Sequence, residues 1–504
     1  MPGALTHDPI RVGGGLYQNA DGSVAADADG QPNALSALQI ASVLASSPQR
    51  YSIGVGVFGD SQANNAFYTT GTSADGGSPP SFWVDDAASN YTWGQGWPSW
   101  LGPMSFERIR LVYSWARQTN GLLTAGSAPA GFPLSVQVTQ ALASDEWSQI
   151  QRAIIMIGTN DKAFTIQQCV TELLAQIARL GKPVTLIASP PRSGTVTTVV
   201  GDSLAIWAWC QQWRNACRRI ADESNGWVSW VDGYLPVCSP TTSPDVMAAG
   251  YLLADASNVH YNNAGAYLVS DAVVKSILPT GISGDLDMWP NNSWAGDTNA
   301  AGLDQGVRNP LMVVGAGGVL TGFSGGTAAT DTPQYYTVAK LGTPTTSVAS
   351  LVTSPYGGYG QHVEIQPAGN GDGFSVASDS FHGAGGTFLS AGDVCWAQCV
   401  ITLDAESVYP KNIGLRFNAV IGGSTNLYRY AFGNPPASAE VALPLTAARS
   451  FLIRTPPFLV PAGGVYTSLI ARAFVYYAGA AGAACGVTVS NMECRRFRSG
   501  GVYA

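Results

Sequence analysis

The chain has 504 residues, of which 46% are hydrophobic and 12% are charged, and its formal net charge is −8 at pH 7. Only five of the 25 basic side chains are Lys, and no basic run is present, which excludes a nucleic-acid backbone as the partner. No apolar run approaches the roughly 20 residues of a bilayer-spanning helix, so we expect no membrane partner either.

Residues 1–50 are predicted to form an irregular arm followed by one helix. The arm is rich in Gly, Ala, Asp and Asn up to Pro32, and apolar positions then recur at helical spacing between Ala34 and Leu44. The first residues carry neither the basic nor the apolar region of a signal peptide, so we expect no signal-directed export.

Residues 51–280 alternate between apolar runs and amphipathic stretches. The apolar runs lie at 53–58, 109–113, 153–157, 184–188 and 227–231, and helical spacing covers 166–180, 204–223 and 264–277. Near-continuous apolar strands separated by amphipathic helices are typical of a parallel sheet that is covered on both faces. The sequence therefore predicts an α/β domain with a parallel sheet of about five strands.

Helical periodicity disappears after residue 280. Segment 281–309 is predicted to be a linker or docking loop, and residues 310–504 contain short alternating runs between Gly, Pro and Asn clusters. The runs lie at 335–339, 362–365, 394–401, 414–421, 468–475 and 486–489. This pattern predicts an all-β sandwich, most simply a jelly roll.

A Ser follows the first apolar run of the α/β domain, in Gly59-Asp60-Ser61. Open α/β sheets bind ligands at the carboxyl ends of their strands, and a backbone N–H at this position faces outward. Ser61 is therefore a candidate nucleophile that also donates a hydrogen bond to an oxyanion. Taken alone, the tripeptide is better explained by an ordinary turn.

The third apolar run ends in Gly158-Thr159-Asn160-Asp161. Ends of adjacent parallel strands lie about 5 Å apart, so the Asn160 amide is a candidate second oxyanion donor beside Ser61. The alternative is a turn capped by Asn160 and Asp161. We interpret Asp60 and Asp161 as structural acids that brace the two loops.

His260 is the candidate base. Besides His7 in the arm it is the only His of the first 280 residues, and it precedes the predicted helix at 264–277. A neutral imidazole suits the removal of a proton from a Ser hydroxyl, although a lone His also serves as a structural hydrogen-bonding group.

These three blocks, in this order, resemble the SGNH (GDSL-like) hydrolase family, and Ala188-Ser189-Pro190-Pro191-Arg192 resembles its proline-bearing stretch. The resemblance covers about residues 51–278. It implies a flavodoxin-like sheet and ester hydrolysis through an acyl-enzyme. Ser61 is then the nucleophile, His260 the base, and the oxyanion hole contains the Ser61 N–H, a Gly N–H and the Asn160 side chain.

Two positions depart from the family pattern. The oxyanion Gly has two candidates, Gly126 and Gly131, of which we prefer Gly131 because its spacing to Asn160 fits better. The place of the acid, three residues before His260, holds Ser257. Either Asp255 supplies the charge, or a Ser–His pair acts with the imidazole oriented by Ser257 or a backbone carbonyl.

Aromatic side chains crowd the segment after Ser61: Phe67, Tyr68, Phe82, Trp83, Tyr91, Trp93, Trp97 and Trp100. They are interpreted as a self-packed loop, or as a wall on which sugar rings stack. The Trp-rich stretch 207–213 is interpreted as core packing.

The eight Cys lie far apart without a C-x-x-C pair, so we expect neither a metal site nor another cofactor. Free thiols are expected, with a bridge between Cys485 and Cys494 on neighbouring strands as the alternative. His362 and His382 have no paired carboxylate at metal spacing in the sequence. The closing segment 486–496 resembles carbohydrate-binding jelly rolls, and a sandwich of this kind suits a glycan, a homotrimer contact or a virion contact.

The leading hypothesis is a serine esterase that removes small acyl groups, above all O-acetyl, from a surface or cell-wall polysaccharide. The low charge, irregular arm and absent leader favour a virion or extracellular location, as a bacteriophage component. The alternative is a structural or adhesive tail or capsid-decoration protein that keeps the hydrolase fold for binding. A secreted bacterial carbohydrate esterase requires a leader that these residues lack.

Overall fold

The architecture is taken from a computed structural model of the whole chain. It describes residues 10–12, 16–18, 52–63, 68–69, 72–73, 93–94, 96–117, 119–126, 131–189, 200–238, 248–251, 260–278, 306–380, 389, 393–405, 410–421, 424–432, 442–455, 458–459, 466–479 and 483–497. The predicted helix at 34–44 lies outside these residues.

The part of the chain before residue 280 contains ten described strands and five described α-helices. In chain order they are β1 (Ile10–Val12), β2 (Leu16–Gln18), β3 (Ile53–Gly59), β4 (Tyr68–Thr69), β5 (Thr72–Ser73), β6 (Trp93–Gly94), α1 (Leu101–Met104), β7 (Ile109–Ser114), α2 (Leu134–Leu142), β8 (Arg152–Met156), α3 (Ile166–Leu180), β9 (Val184–Ile187), α4 (Val200–Glu223), β10 (Val228–Val231) and α5 (Asn263–Ile277).

Five of these strands form one parallel sheet in the order β10-β9-β8-β3-β7. Counted along the chain from β3, this is the 2-1-3-4-5 order of flavodoxin-like folds. The predicted α/β sheet is therefore confirmed. The order reverses between β3 and its neighbours β7 and β8, so the carboxyl end of β3 lies at the switch point where such sheets bind ligands.

Both faces of the sheet are covered. Alternate residues of each strand point to opposite sides, so each face contributes its own apolar residues. On one side, Phe58, Ile155 and Leu186 pack with the apolar residues of α2, α3 and α4. On the other side, Val57 and Met156 pack with α1, α5 and the sandwich.

The best-defined helix, α3, shows how local sequence sets an element. The Thr165 hydroxyl accepts a hydrogen bond from Gln168 N at 3.3 Å, and the Gln168 side chain accepts one from Thr165 N at 2.9 Å, which completes a capping box. Gly181, with φ of 60°, adopts the left-handed conformation that ends the helix.

The second half of the chain is almost entirely β. In chain order its elements are β11 (Val319–Thr321), α6 (Ala328–Asp331), β12 (Tyr336–Leu341), β13 (Thr346–Thr353), β14 (Tyr359–Gln366), β15 (Gly373–Ser378), β16 (Val394–Leu403), β17 (Pro410–Ile421), β18 (Ser424–Phe432), β19 (Arg449–Arg454), β20 (Phe458–Leu459), β21 (Tyr466–Tyr477) and β22 (Cys485–Phe497).

These strands form two sheets, in the orders β11-β12-β15-β21-β17-β18-β6 and β13-β14-β22-β16-β19. Within them, β15-β21-β17-β18 and β14-β22-β16-β19 are antiparallel. Among these eight strands, consecutive ones cross between the sheets at every step except the β17–β18 hairpin. The predicted sandwich is confirmed, and this crossing order is that of a jelly roll.

The two halves share one hydrophobic cluster, and the first half has a second cluster on the other face of its sheet. Trp100, which precedes α1, packs edge-on against Tyr267 of α5 at 5.4 Å and against Phe451 of β19 at 5.5 Å. Strand β6 also joins the sandwich by pairing with β18. The end of the predicted linker belongs to the sandwich as well, since Val307 is fully buried in this cluster.

The structure decides between the interpretations of two aromatic groups. Trp97 and Trp100 are fully buried, so the sugar-stacking interpretation is wrong for these two. Trp213 is 2% exposed and stacks on Trp209, which confirms core packing there. Tyr68 and Trp93 belong to short strands whose side chains are not described, and the other aromatics of the segment after Ser61 lie outside the described residues.

The alternative of a Cys485–Cys494 bridge is wrong, because both residues lie on the single strand β22 and all eight cysteines are free. The nearest thiol to Cys494 is that of Cys395 on β16, with 3.3 Å between the sulfur atoms. Within the described residues, no helix is both long enough and apolar enough to cross a membrane.

Candidate active site

The turn that carries Ser61 leaves the end of β3 through Gly59. At φ of 151°, a side chain on Gly59 would place its Cβ 2.0 Å from the Met156 carbonyl oxygen, so only glycine fits there. Gln137 of α2 holds this residue from both sides: its Oε1 accepts from Gly59 N at 2.9 Å and its Nε2 donates to Gly59 O at 3.0 Å. The backbone before Ser61 is thus fixed by a buried amide.

Asp60 ties this turn to the end of the neighbouring strand β8. Its carboxylate accepts hydrogen bonds from Gln62 N at 2.9 Å and from Thr159 N at 3.2 Å. The Thr159 hydroxyl donates to Gln62 Oε1 at 3.0 Å. Burial of Asp60, reinforced by the charge of Asp161, raises its pKa to about 7 against these hydrogen bonds.

The Asn160 loop is shaped by a close contact with α4. Gly158, with φ of 127°, leaves room for the indole of Trp213, whose Nε1 donates to Ile157 O at 2.8 Å. Asn160 is half-buried, and its Nδ2 donates to Asn120 O at 2.9 Å. An amide nitrogen has two N–H groups, so this bond fixes the plane in which the second one points.

Asp161 holds the loop that follows β7. Its carboxylate accepts from Leu122 N at 2.7 Å, from Leu123 N at 3.0 Å, and from both N and Oγ1 of Thr124 at 3.0 Å. The interpretation of Asp60 and Asp161 as acids that brace the loops agrees with these contacts. Three loops at one end of the sheet are thereby joined into a single hydrogen-bonded unit.

The two glycine candidates for the oxyanion hole differ in their N–H groups. Gly126 N donates to Asn120 Oδ1 at 2.8 Å, so its N–H is already used. Gly131 is exposed with φ of 79°, and its neighbour Phe132 N also donates to Asn120 Oδ1, at 2.9 Å. The N–H of Gly131 has no hydrogen-bond partner among the described residues. This geometry favours Gly131, which stays a prediction.

His260 lies just before α5 and is half-buried. The next residue, Tyr261, is buried; burial raises the pKa of its hydroxyl, and the nearby charge of Asp60 raises it further. The Tyr261 hydroxyl therefore lies within electrostatic range of Asp60. Asn262 then starts the helix by accepting a hydrogen bond from Gly265 N at 3.0 Å.

The acid remains a prediction, because Asp255 and Ser257 lie outside the described residues. Within the described residues, no group of three or more His, Cys, Asp or Glu side chains is arranged to hold a metal ion. At the ends of the adjacent strands β3 and β8 the described residues place a Ser and an oriented amide, and the part of His260 in the same site stays a prediction. Ser, His and amide side chains are the groups that acyl transfer uses as nucleophile, base and donor to a developing oxyanion.

The sequence did not reveal the residues that orient these groups. Gln137 occupies the apolar stripe of α2 together with Leu134, Val138 and Ala141, and all four are buried. A polar residue in an apolar helical stripe is the signal that could have found it. Asn120, which bonds the Gly126, Phe132 and Asn160 loops, stands in an irregular segment and gives no such signal.

No protein-family model and no curated protein sequence matches the chain. Among solved structures, it is similar to one described as a lipolytic protein of the G-D-S-L family from Desulfitobacterium hafniense, at 15% identity over 45% of this chain and 99% of that one, with a TM-score of 0.30. It is also similar to the aryl esterase of M. smegmatis, at 11% identity over 45% and 99% of the two chains, with a TM-score of 0.30.

A third similar structure is described as an SGNH hydrolase from Slackia heliotrinireducens, at 14% identity over 45% of this chain and 99% of that one, with a TM-score of 0.29. The N-terminal domain resembles the SGNH (GDSL-like) hydrolases. Its own features show this: the strand order of the sheet, and the Ser61 and Asn160 blocks at the ends of the adjacent strands β3 and β8.

The sandwich carries a polar row that the sequence did not indicate. Ser350, His362, Thr488, Thr402 and Ser450 stand opposite one another on five successive strands, and each is half-buried. His362 Nδ1 lies 3.1 Å from the Thr488 hydroxyl and 3.9 Å from the Asp404 carboxylate. Asp404 lies 42 residues from His362 in the chain, so ligand spacing in the sequence could not show this contact. His382 lies outside the described residues.

Proposed function

We propose that this protein is a serine ester hydrolase whose acyl-enzyme forms on Ser61. The observation that carries the proposal is the direct bonding of the Ser61 turn to the Asn160 loop, through Asp60 to Thr159 N and through Gln62 to the Thr159 hydroxyl. Two loops held in this way keep the nucleophile and the amide donor in one fixed arrangement, as acyl transfer requires.

In the proposed reaction, His260 accepts the Ser61 proton as the hydroxyl attacks the ester carbonyl. Negative charge develops on the carbonyl oxygen, where the Asn160 amide and the N–H groups of Ser61 and Gly131 stabilise it. The imidazolium then protonates the leaving alcohol, and a water deprotonated by His260 releases the acid. Either Asp255 or a neutral group orients the imidazole; loss of a full acid lowers the rate of such a site without abolishing it.

Turnover of a chromogenic acetate ester tests the reaction. We expect Ser61→Ala to lower kcat by at least about 10³-fold, since the nucleophile is lost. The exposed Ser148 offers a matched control, and Ser148→Ala should leave the rate unchanged. Equal rates in wild type and Ser61→Ala, or no turnover in either, would contradict the proposal.

We further propose that the ester is an O-acetyl group on a polysaccharide. The protein is then either a component of a bacteriophage virion or an extracellular protein. The sparsely charged composition and the half-buried polar row on the sandwich support a neutral, polar polymer as the ligand. Acetate release from O-acetylated polysaccharides measures the substrate class. Glycan binding that survives Ser61→Ala, without ester turnover by wild type, would instead mark an adhesive protein.

A further inference from the structure

The helix that follows His260 is anchored to the sandwich by one buried amide. Asn263, the first residue of α5, is 1% exposed. Its Nδ2 donates to the backbone oxygen of Lys411 in β17 at 2.8 Å, and its Oδ1 accepts from Trp100 Nε1 at 3.1 Å. The amide is therefore held by one group from each half of the molecule.

Helix formation does not account for this residue. Asn is a poor helix former, and the capping role at this end belongs to Asn262, whose Oδ1 accepts from Gly265 N. The Asn262 Nδ2 donates to Gly250 O at 2.7 Å, so the two neighbouring amides bind different parts of the chain. Buried hydrogen bonds of this kind fix a position more sharply than apolar contacts do.

We propose that Asn263 is a positioning residue through which the sandwich holds the imidazole of His260 in place. The proposal rests on the proposed function, in which His260 is the base. His260 and Asn263 are three residues apart, and three residues span at most about 11 Å. A shift of the helix start therefore passes to the imidazole, and a misplacement of about 1 Å in a catalytic group can cost about 10²-fold in rate.

Other contacts between the same helix and its surroundings lie farther from His260. Ser270 Oγ donates to Trp97 O, and Arg449 of β19 donates to the Tyr267 hydroxyl at 2.7 Å and to Asp271 at 2.6 Å. These contacts hold the body of α5, whereas Asn263 holds its start. Ser270→Ala thus removes a buried hydrogen bond from the same helix without acting at the residues next to His260.

The first measurement is ester turnover by two variants of Asn263. Asn263→Leu replaces the amide with an apolar side chain, and Asn263→Ser removes the amide without adding methyl groups. Rates are normalised to the fraction of chains that an organophosphonate labels, counted by intact mass. We expect kcat to fall by about 10- to 100-fold with KM within about threefold. Ser270→Ala should keep kcat within about twofold. A merely structural role of Asn263 predicts unchanged kcat per labelled site.

The imidazole itself gives a readout that needs no turnover. The chain has four His, so NMR of the protein with isotope-labelled His resolves His260, assigned through its loss in His260→Gln. We expect both Asn263 variants to shift or broaden the His260 resonance, while the His362 resonance stays unchanged. An unaltered His260 resonance in folded variants would overturn the proposal. If wild type shows no ester turnover, only the proposed function is contradicted. The His260 resonances of wild type and the Asn263 variants still show whether Asn263 positions the imidazole.

Discussion

Asp60, next to the nucleophile, is a fully buried carboxyl group whose pKa is raised to about 7, mainly by burial. It remains in place because its oxygens accept hydrogen bonds from Gln62 N and Thr159 N, which join the two catalytic loops. The acid thus contributes to the geometry of the site while its charged form is disfavoured by burial.

This gives a pH dependence with a defined sign. An unfolded chain releases the Asp60 proton near the ordinary pKa of 3.8, whereas the folded chain keeps it up to about 7. Between these values the folded state binds the extra proton, so the free energy of unfolding decreases as the pH rises through this range. Asp60→Asn is neutral throughout and lacks this slope. Urea unfolding of wild type and Asp60→Asn from pH 4 to 8 measures this. The difference between their free energies of unfolding should change by about a few kcal/mol over this range. Parallel pH profiles for the two proteins would contradict the prediction.

The sequence could indicate Ser61, Asn160 and His260 because each stands in a short motif beside a predicted strand or helix. It could not indicate Gln137, Asn120 or Asn263, whose roles depend on partners about 40 to 150 residues away in the chain. A hydrogen-bond partner at such a distance is set by the fold, and a single amide in the sequence does not reveal it.

At the scale of elements, helices α3, α4 and α5 and the five parallel strands agree with their predicted positions to within a few residues. Several sandwich strands escaped prediction, and β13 shows the reason. Its Ser347 and Ala349 face inward while Val348 is 42% exposed. Ser347 is buried because it exchanges hydrogen bonds with Ser324. At Ser347 and Val348 the polar residue is therefore buried and the apolar one exposed, the reverse of what is expected of a half-buried strand.

Helix α5 and strand β19 are joined by an ion pair that links the two halves. Arg449 and Asp271 have side chains only 23% and 17% exposed. Burial raises the pKa of Asp271, but hydrogen bonds from Lys275 and Arg449 outweigh it, so the pKa lies below its ordinary value. The stabilisation is therefore present at neutral pH and is lost as the pH falls through this lowered pKa.

We expect Arg449→Met to lower the free energy of unfolding at pH 7 by about 1 to 3 kcal/mol, because it leaves a largely buried carboxylate without the more buried of its two partners. Lys275 contacts the same carboxylate from a side chain that is 74% exposed, so Lys275→Met should cost under about 1 kcal/mol. Urea unfolding measures both. In an Asp271→Asn background the effect of Arg449→Met should shrink; an equal effect there would show that the pair does not contribute.

At the scale of the whole molecule, the shared hydrophobic cluster makes the two halves interdependent. Residues of the parallel sheet, of α5 and of both sandwich sheets belong to the same buried cluster, and Trp100 touches Tyr267 on one side and Phe451 on the other. Separating the halves would expose this apolar surface, at about 25 cal/mol for each Å². Neither half can then lose its structure without weakening the other.

We therefore expect one unfolding transition, although the chain has the length of several ordinary domains. The probes separate well, because Trp396 is the only one of the 14 Trp after residue 310, so Trp fluorescence reports the first half, whereas a hydrogen-exchange pulse at each urea concentration, read by mass on peptides from residues 394–432, reports the second. Coincident urea transitions by both probes are the expected result. Trp100→Ala removes the side chain that joins the halves and should separate the two transitions, with the fluorescence change at lower urea. Two transitions in wild type would mean that the halves fold independently and that the cluster contributes little to their coupling.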